Sequence, residues 1–264
     1  MKLAMIAVAG LAGVASAQSA DVFAGPSTGA RADAYRVYNG GSLGGLDATL
    51  WDNGGLQTSP GFSELQGTDN ILGYGAQLAG GGTTNNKVGD DFVVSGGGWN
   101  VTQLCFFGYQ TGASATAAST FTNVNWEIFS GPVGDTTNSV ASGSGLDASN
   151  FSGLHRVSAG STLTNRQIFV NEVNVSVNLP DGNYWVAWQF EGSLASGPWA
   201  PPVTPRGAGS NGVQSINGGA YAPVTQANLE PDDFPFMIKG NVVPAPASLA
   251  LVGLGGLIAG RRRR

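Results

Sequence analysis

Between Val173 and Leu179 apolar and polar residues alternate one for one. Val173, Val175, Val177 and Leu179 lie on one side, and Asn174, Ser176 and Asn178 on the other. A period of two marks a strand with one face buried and the other in water, the usual condition of an antiparallel sheet. Pro180-Asp181-Gly182 follows and reads as a turn, because Pro presets φ and Gly accepts a positive φ. Residues 184–190 read as the return strand, so residues 172–190 are expected to form a β-hairpin. On that return strand Tyr184, Val186, Trp188 and Phe190 share one face, and Trp185, Ala187 and Gln189 the other. Both faces are largely apolar, so the strand is expected to be central and covered on each side.

The same pattern recurs along the chain. Phe92-Val93-Val94 predicts a short strand, Gly96-Gly97-Gly98 a turn, and residues 99–109 a long strand dense in Val, Leu and Phe. Over residues 121–129, Val124, Trp126 and Ile128 face inward, with Asn125 and Glu127 outward. Phe234, Phe236 and Ile238 alternate with Pro235, Met237 and Lys239, a closing strand expected beside an early one, as a jelly roll is tied. Composition enters here as an exclusion. Helices need Ala, Leu, Glu, Lys and Arg in quantity, whereas this chain has 42 glycines in 264 residues and is only 11% charged. No segment between Gln18 and Val242 carries a 3.6-residue apolar stripe. The expectation is all-β: an antiparallel β-sandwich or jelly roll over residues 18–241, with Trp126, Trp188 and Phe236 in its core. Residues 39–89 and 197–225 are poorer in pattern and are expected to be surface loops with a few edge strands, at 35–38 and 50–51 among them.

Both ends stand apart from this domain. Lys2, the apolar run from Leu3 to Val14, and Ala15-Ser16-Ala17 before Gln18 have the three parts of a secretory signal peptide, residues 1–17. Residues 242–264 contain Val243-Pro244-Ala245-Pro246, then an apolar run to Gly260, then Arg261, Arg262, Arg263 and Arg264. In a membrane the apolar helix inserts and the arginines stay cytoplasmic, leaving everything N-terminal outside. Residues 247–260 make about 21 Å of helix against a hydrocarbon core of about 30 Å. Gly253, Gly255, Gly256 and Gly260 loosen it further, which suits a handle that is held and then cut; a plain membrane anchor is the competing reading.

This tail resembles the PEP-CTERM sorting signal of bacterial envelope and extracellular-matrix proteins. Ala245 replaces the usual Glu, as in a Val-Pro-Ala-Pro variant. The resemblance implies recognition by a membrane protease-transpeptidase, exosortase, after signal peptidase has acted at the other end. Further motifs resemble a β-sandwich domain common in bacterial secreted proteins: Trp51-Asp52-Asn53-Gly54, Asp90-Asp91-Phe92-Val93-Val94 with Gly98-Trp99, and Gly108-Tyr109-Gln110-Thr111-Gly112. Ser196-Gly197-Pro198-Trp199-Ala200-Pro201-Pro202 and Asp233-Phe234-Pro235-Phe236 complete the set. That resemblance implies fold and location, with no catalytic residues to carry over.

Removal of Lys2 and the four terminal arginines leaves seven basic residues against 17 acidic ones, a net charge of −10. Nucleic acid is disfavoured as a partner, since phosphate binding needs clustered Lys and Arg. Cys105, the single cysteine, sits among Leu104, Phe106 and Phe107 and is expected to be a buried filler. His155 is the single histidine, and no Walker loop accompanies it. Glu64, Glu127, Glu172 and Glu191 are the glutamates a glycosidase would need as a pair, yet Glu127 and Glu172 fall at polar strand positions and are expected to be solvated. Asp90-Asp91 and Asp232-Asp233 each precede a Phe-led strand and are candidate calcium ligands, with plain turns as the alternative. Trp199, in a stiff Pro-rich loop, is either a sugar-stacking indole or a side chain packed onto Trp185. No catalysis is expected. The leading expectation is an exported structural protein of a cell surface or matrix. The alternatives are a carbohydrate-binding module, calcium-assisted and held in exopolysaccharide, and then an extracellular hydrolase.

Overall fold

The alternating segments all become strands in the computed structural model, which describes residues 48–79, 83–113, 118–204 and 210–243. The expected signal segment with Ala15, Ala17 and Gln18, the 35–38 strand, Pro244, Ala245, Pro246, the apolar run and Arg261–Arg264 lie outside the described residues. In chain order the strands are β1 (Ala48–Asp52), β2 (Phe62–Glu64), β3 (Tyr74–Gly75), β4 (Leu78–Ala79), β5 (Thr84–Asn85), β6 (Lys87–Val94), β7 (Trp99–Tyr109) and β8 (Phe121–Phe129). They continue with β9 (Ser139–Gly145), β10 (Ala148–Val157), β11 (Gln167–Leu179), β12 (Gly182–Gly192), β13 (Trp199–Ala200), β14 (Val213–Ser215), β15 (Tyr221–Pro223) and β16 (Phe236–Val242). A single 3-10 turn at Thr136–Asn138 is the one helical element among the described residues, so the fold is all-β. No helix among them is long and apolar enough to cross a membrane.

Two large sheets result. An eight-stranded sheet runs β1-β16-β7-β11-β10-β2, with β13 and β3 attached beside β7, and a six-stranded sheet runs β15-β14-β6-β12-β8-β9. Pairing is antiparallel except between β2 and β10, where Phe62 faces His155 in parallel register, and at an isolated bridge from Gln77 to Phe190. β16 lies between β1 and β7, the expected return of the closing strand to an early one.

The expected hairpin at 172–190 is not one. β11 pairs with β7 and β10, and β12 with β6 and β8, in the other sheet. The reason is legible in Pro180. A two-residue hairpin loop takes type I′ or II′ geometry, with positive φ at its first position, whereas proline fixes φ near −65°. The chain therefore arches out of one sheet into the other. The link from β6 to β7 does the same through Gly96, Gly97 and Gly98, all at positive φ of 93° to 109°. The two arches are clasped together, since the Asp181 carboxylate accepts the backbone N–H groups of Gly97 and Gly98 at 2.9 and 2.7 Å. A Cβ on Gly98 would lie 2.8 Å from the Leu179 carbonyl oxygen, so only glycine lets the arches approach this closely.

Side chains from both sheets share one apolar cluster. Phe106 of β7 stacks on Trp188 of β12 with ring centres 4.8 Å apart, and Phe236 of β16 meets both Trp188 and Phe92. The expected core residues Trp126, Trp188 and Phe236 are 8%, 1% and 0% exposed. β12 is central as expected, and its outer face is covered too: Trp185 and Ala187 pack with Phe129, Val133 and Val213. A third cluster, with Leu56, Cys105, Phe107 and Tyr109, covers the outer side of the eight-stranded sheet. Two expectations are corrected here. Residues 48–79 are more than surface loop, because Leu56, Leu65, Tyr74 and Ala76 are buried. Glu172, expected in water, is 1% exposed, because it shares its side of β11 with Ile168 and Val170 of that outer cluster.

Candidate functional site

Four of the motifs singled out in the sequence meet around one backbone unit, Phe234. Asn53 donates its side-chain amide to the Phe234 carbonyl at 3.0 Å, and Asp90 Oδ2 accepts the Phe234 N–H at 2.6 Å. The next residue back, Asp233, accepts the Val203 N–H on its carbonyl and the Asn211 N–H on its carboxylate. Asn211 also donates its side-chain amide to Asp91 Oδ1 at 3.1 Å. The motifs at 51–54, 90–94, 196–202 with the Val203 that follows, and 233–236, far apart in sequence, thus form one hydrogen-bonded knot. Asp90, Asp91 and Asp233 belong to it, although β6 and β16 lie in different sheets. Extended residues 232–235 cross between them. Asp90 and Asp91 lie inside β6, not before it, and so point to opposite faces: Asp90 toward the shared core with Val88 and Phe92, Asp91 outward.

Burial dominates the electrostatics. Asp90, Asp91, Asp232 and Asp233 are all at most 4% exposed. The Asp90 carboxyl is held well above the usual aspartate range by burial first, then by the neighbouring charges of Asp233 and Asp91, against the opposing backbone bonds from Phe234 and Asp91. Asp91 is raised to about 6, again chiefly by burial, with Asn211 pulling the other way. Three carboxyls in one dry cluster cannot all ionise cheaply, so the chemistry this arrangement supports is the holding of a proton. Among the described residues no group of three or more His, Cys, Asp or Glu side chains is placed to hold a metal ion. Of the oxygens expected as calcium ligands, both of Asp90 and one each of Asp91, Asp232 and Asp233 accept N–H or O–H donors.

Asp232 turns away from its neighbour. Its Oδ2 accepts the Tyr74 hydroxyl and the Gln226 amide, each at 2.6 Å. The charge that faces this corner was missed in the sequence: Arg156, 1% exposed. It donates to the Leu72 carbonyl at 2.7 Å, to Ser63 Oγ at 3.0 Å and to Thr204 Oγ1 at 3.1 Å. Burial lowers its pKa to about 10, opposed by Tyr109 and Asp232. The signal was the period of β10, in which Ser152, Leu154 and Arg156 share a buried side.

The remaining candidates are dispersed. Trp199 packs on the eight-stranded sheet with the Tyr109 cluster, not on Trp185, and its two-residue strand pairs with both β3 and β7. The Pro-rich loop therefore does pair in a sheet, through the residues between its prolines. His155 lies between Phe62 and Phe151, with Nδ1 3.4 Å from the Gly61 carbonyl. Cys105 is fully buried, and burial pushes its thiol up to about 12. Glu64 accepts the Gly160 N–H, and Glu191 accepts Asn123 at 2.9 Å and Asn125 at 3.4 Å. Glu127 stands apart, at the rim of an open cavity of about 630 Å³ on the outer face of the six-stranded sheet. Val243, where the tail motif begins, donates its N–H to the Gly98 carbonyl at 2.8 Å.

No protein-family model matches this chain, and no curated protein matches it either.

Proposed function

We propose that this chain is an exported structural protein of a bacterial cell surface or extracellular matrix, delivered by an exosortase-type signal and without catalysis of its own. The observation that carries the reading is the order of parts that follows the closing strand: Pro244-Ala245-Pro246, an apolar run, and Arg261 to Arg264. β16 ends at Val242, so the signal would begin where the sheet stops, leaving cleavage outside the fold. We further propose that the two large sheets lie face to face as a jelly-roll-like sandwich. The Phe106–Trp188 stack and the shared core cluster support that packing. A rigid, acidic, disulfide-free module tied at Phe234 suits a spacer or adhesive role. Intact-mass measurement on native material, with cell fractionation, tests the assignment. The expected mature protein starts at or near Gln18, lacks the four arginines, and is found in the envelope or matrix fraction. Recovery of a surface protein that still carries the arginines would leave a plain anchor and overturn sorting by cleavage.

A further inference from the structure

The cavity on the outer face of the six-stranded sheet is built differently from the knot around Phe234. Lys87 (β6), Ser215 (β14) and Tyr221 (β15) are in direct register across three adjacent strands. Glu127 (β8) faces the same side one strand beyond β12, level with Ala187 and Gly89. Residues 132–136 form the opposite wall, and Gly134 there lies so close to the Tyr221 ring that a Cβ on it would come within 2.8 Å. Its φ of 83° is one that glycine alone adopts readily.

Three properties narrow the occupant. Lys87 and Glu127 have no hydrogen bond or ion pair to any described residue, so a donor and an acceptor of opposite charge both remain to be used. They lie two strands apart and two residues out of register, and no ion pair joins them. The lining is mostly polar, with two aromatic residues, the buried Phe129 and the half-covered Tyr221. Burial first, then the charge of Glu127, holds the Tyr221 phenol above its usual range, so it stays a neutral hydroxyl that both donates and accepts. A phosphate or acidic ligand would meet Glu127 with a single lysine to offset it, and a lipid would find too little apolar wall. A neutral polyhydroxylated ring fits: its hydroxyls need both donors and acceptors, and its C–H face lies well against a tyrosine. The volume of about 630 Å³ is within the range of small-ligand sites.

We propose that this groove is a binding site for neutral sugar units of a polysaccharide, with Glu127 and Lys87 reading hydroxyls at its two sides and Tyr221 packing against a pyranose ring. The site is separate from Trp199, and it goes beyond the matrix assignment without depending on it: an anchored protein or a sorted one binds sugar equally well. The full chain should be titrated calorimetrically with cellotetraose, maltotetraose, a β-1,3-linked glucose tetrasaccharide and, for contrast, an acidic alginate tetrasaccharide. Saturable binding of at least one neutral tetrasaccharide at millimolar concentrations or below is the expected result, with the alginate fragment weaker. Glu127→Gln and Lys87→Met should each weaken it about tenfold, the loss of one charged hydrogen bond, and Tyr221→Ala should abolish it. Tyr221 also packs against the outer apolar cluster; should its variant fail to fold, Glu127→Gln decides alone. Absence of binding by all three neutral sugars, preference for the acidic one, or binding indifferent to Glu127→Gln overturns the proposal.

Discussion

The two faces of the six-stranded sheet carry acids of opposite character, supplied by strands that flank β12 on either side. On the inner face Asp90 is sealed among Val88, Phe92 and Phe234, both of its oxygens accepting backbone N–H groups. On the outer face Glu127 stands beside a cavity with no hydrogen-bond or ion-pair partner among the described residues. Adjacent acidic letters drew attention to the first, and a lone glutamate in an alternating strand drew little to the second. Side-chain period explains the inversion. Within a strand consecutive residues point opposite ways, so Asp90-Asp91 cannot present two carboxylates to one ion, while residues from three different strands can line one groove. Proximity in a sheet is set by register between strands, and register is what a single strand's letters do not contain.

The largest effect expected lies on the inner face. Trp188 is 1% exposed and touches Phe106, Phe234 and Phe236. Trp188→Ala should cost about 3–5 kcal/mol in denaturant unfolding, the range for emptying a packed aromatic site. Trp126→Ala should cost somewhat less, since Trp126 is 8% exposed and its ring rests on the bare backbone of Gly143. Losses below about 1 kcal/mol for both would mean that inner and outer faces have been exchanged.

The knot should give a smaller, pH-dependent effect. The native protein holds the Asp91 proton up to about 6, whereas an ordinary aspartate releases it near 3.8. Between those values the folded state binds more protons than the unfolded one, so stability falls as pH rises from about 4 to about 6 and levels off above. Two pKa units correspond to at most about 3 kcal/mol. Asp90, also raised chiefly by burial, acts in the same direction. Asp91→Asn keeps an acceptor for Asn211 but has no proton to lose, so it should flatten the slope. Melts across pH 4–8 should find the variant equal to the parent at the acid end and more stable, by about 1–2 kcal/mol, at the neutral end. Excess calcium or chelator should leave the parent's melting temperature unchanged if the N–H and O–H donors that meet both Asp90 oxygens and one oxygen each of Asp91, Asp232 and Asp233 suffice to hold the cluster. A calcium-dependent rise abolished by Asp90→Asn with Asp91→Asn would instead make the knot a metal site.

Much of the fold was legible because strands announce themselves through period. The faces of residues 121–129, 173–179 and 234–239 lie as the letters imply, and β16 closes beside β1. Pairing was less legible. Residues 172–190 carry the look of a hairpin, because Pro180 suits a generic turn as well as it forbids the tight hairpin loop. Arg156 was passed over because a charge in a strand suggests water, though Leu154 two residues away marked its side as buried. The groove was beyond reach, since Lys87, Glu127 and Tyr221 are joined only by register through β12 and β14.

The smallest effect expected is the sharpest test of the contrast between the faces. Glu127→Gln keeps the shape of the side chain and removes a charge that no described residue pairs with. If the carboxylate is there for a ligand, the fold does not depend on it, and stability should change by no more than about 0.5 kcal/mol at neutral pH, as for an ordinary surface substitution. Chemical denaturation of the two proteins side by side, run without sugar, measures this directly. A loss above about 1 kcal/mol would show that Glu127 holds the outer face together in the way Asp90 ties the inner one, with a donor within the protein as its partner. The two acids would then differ in depth and not in purpose.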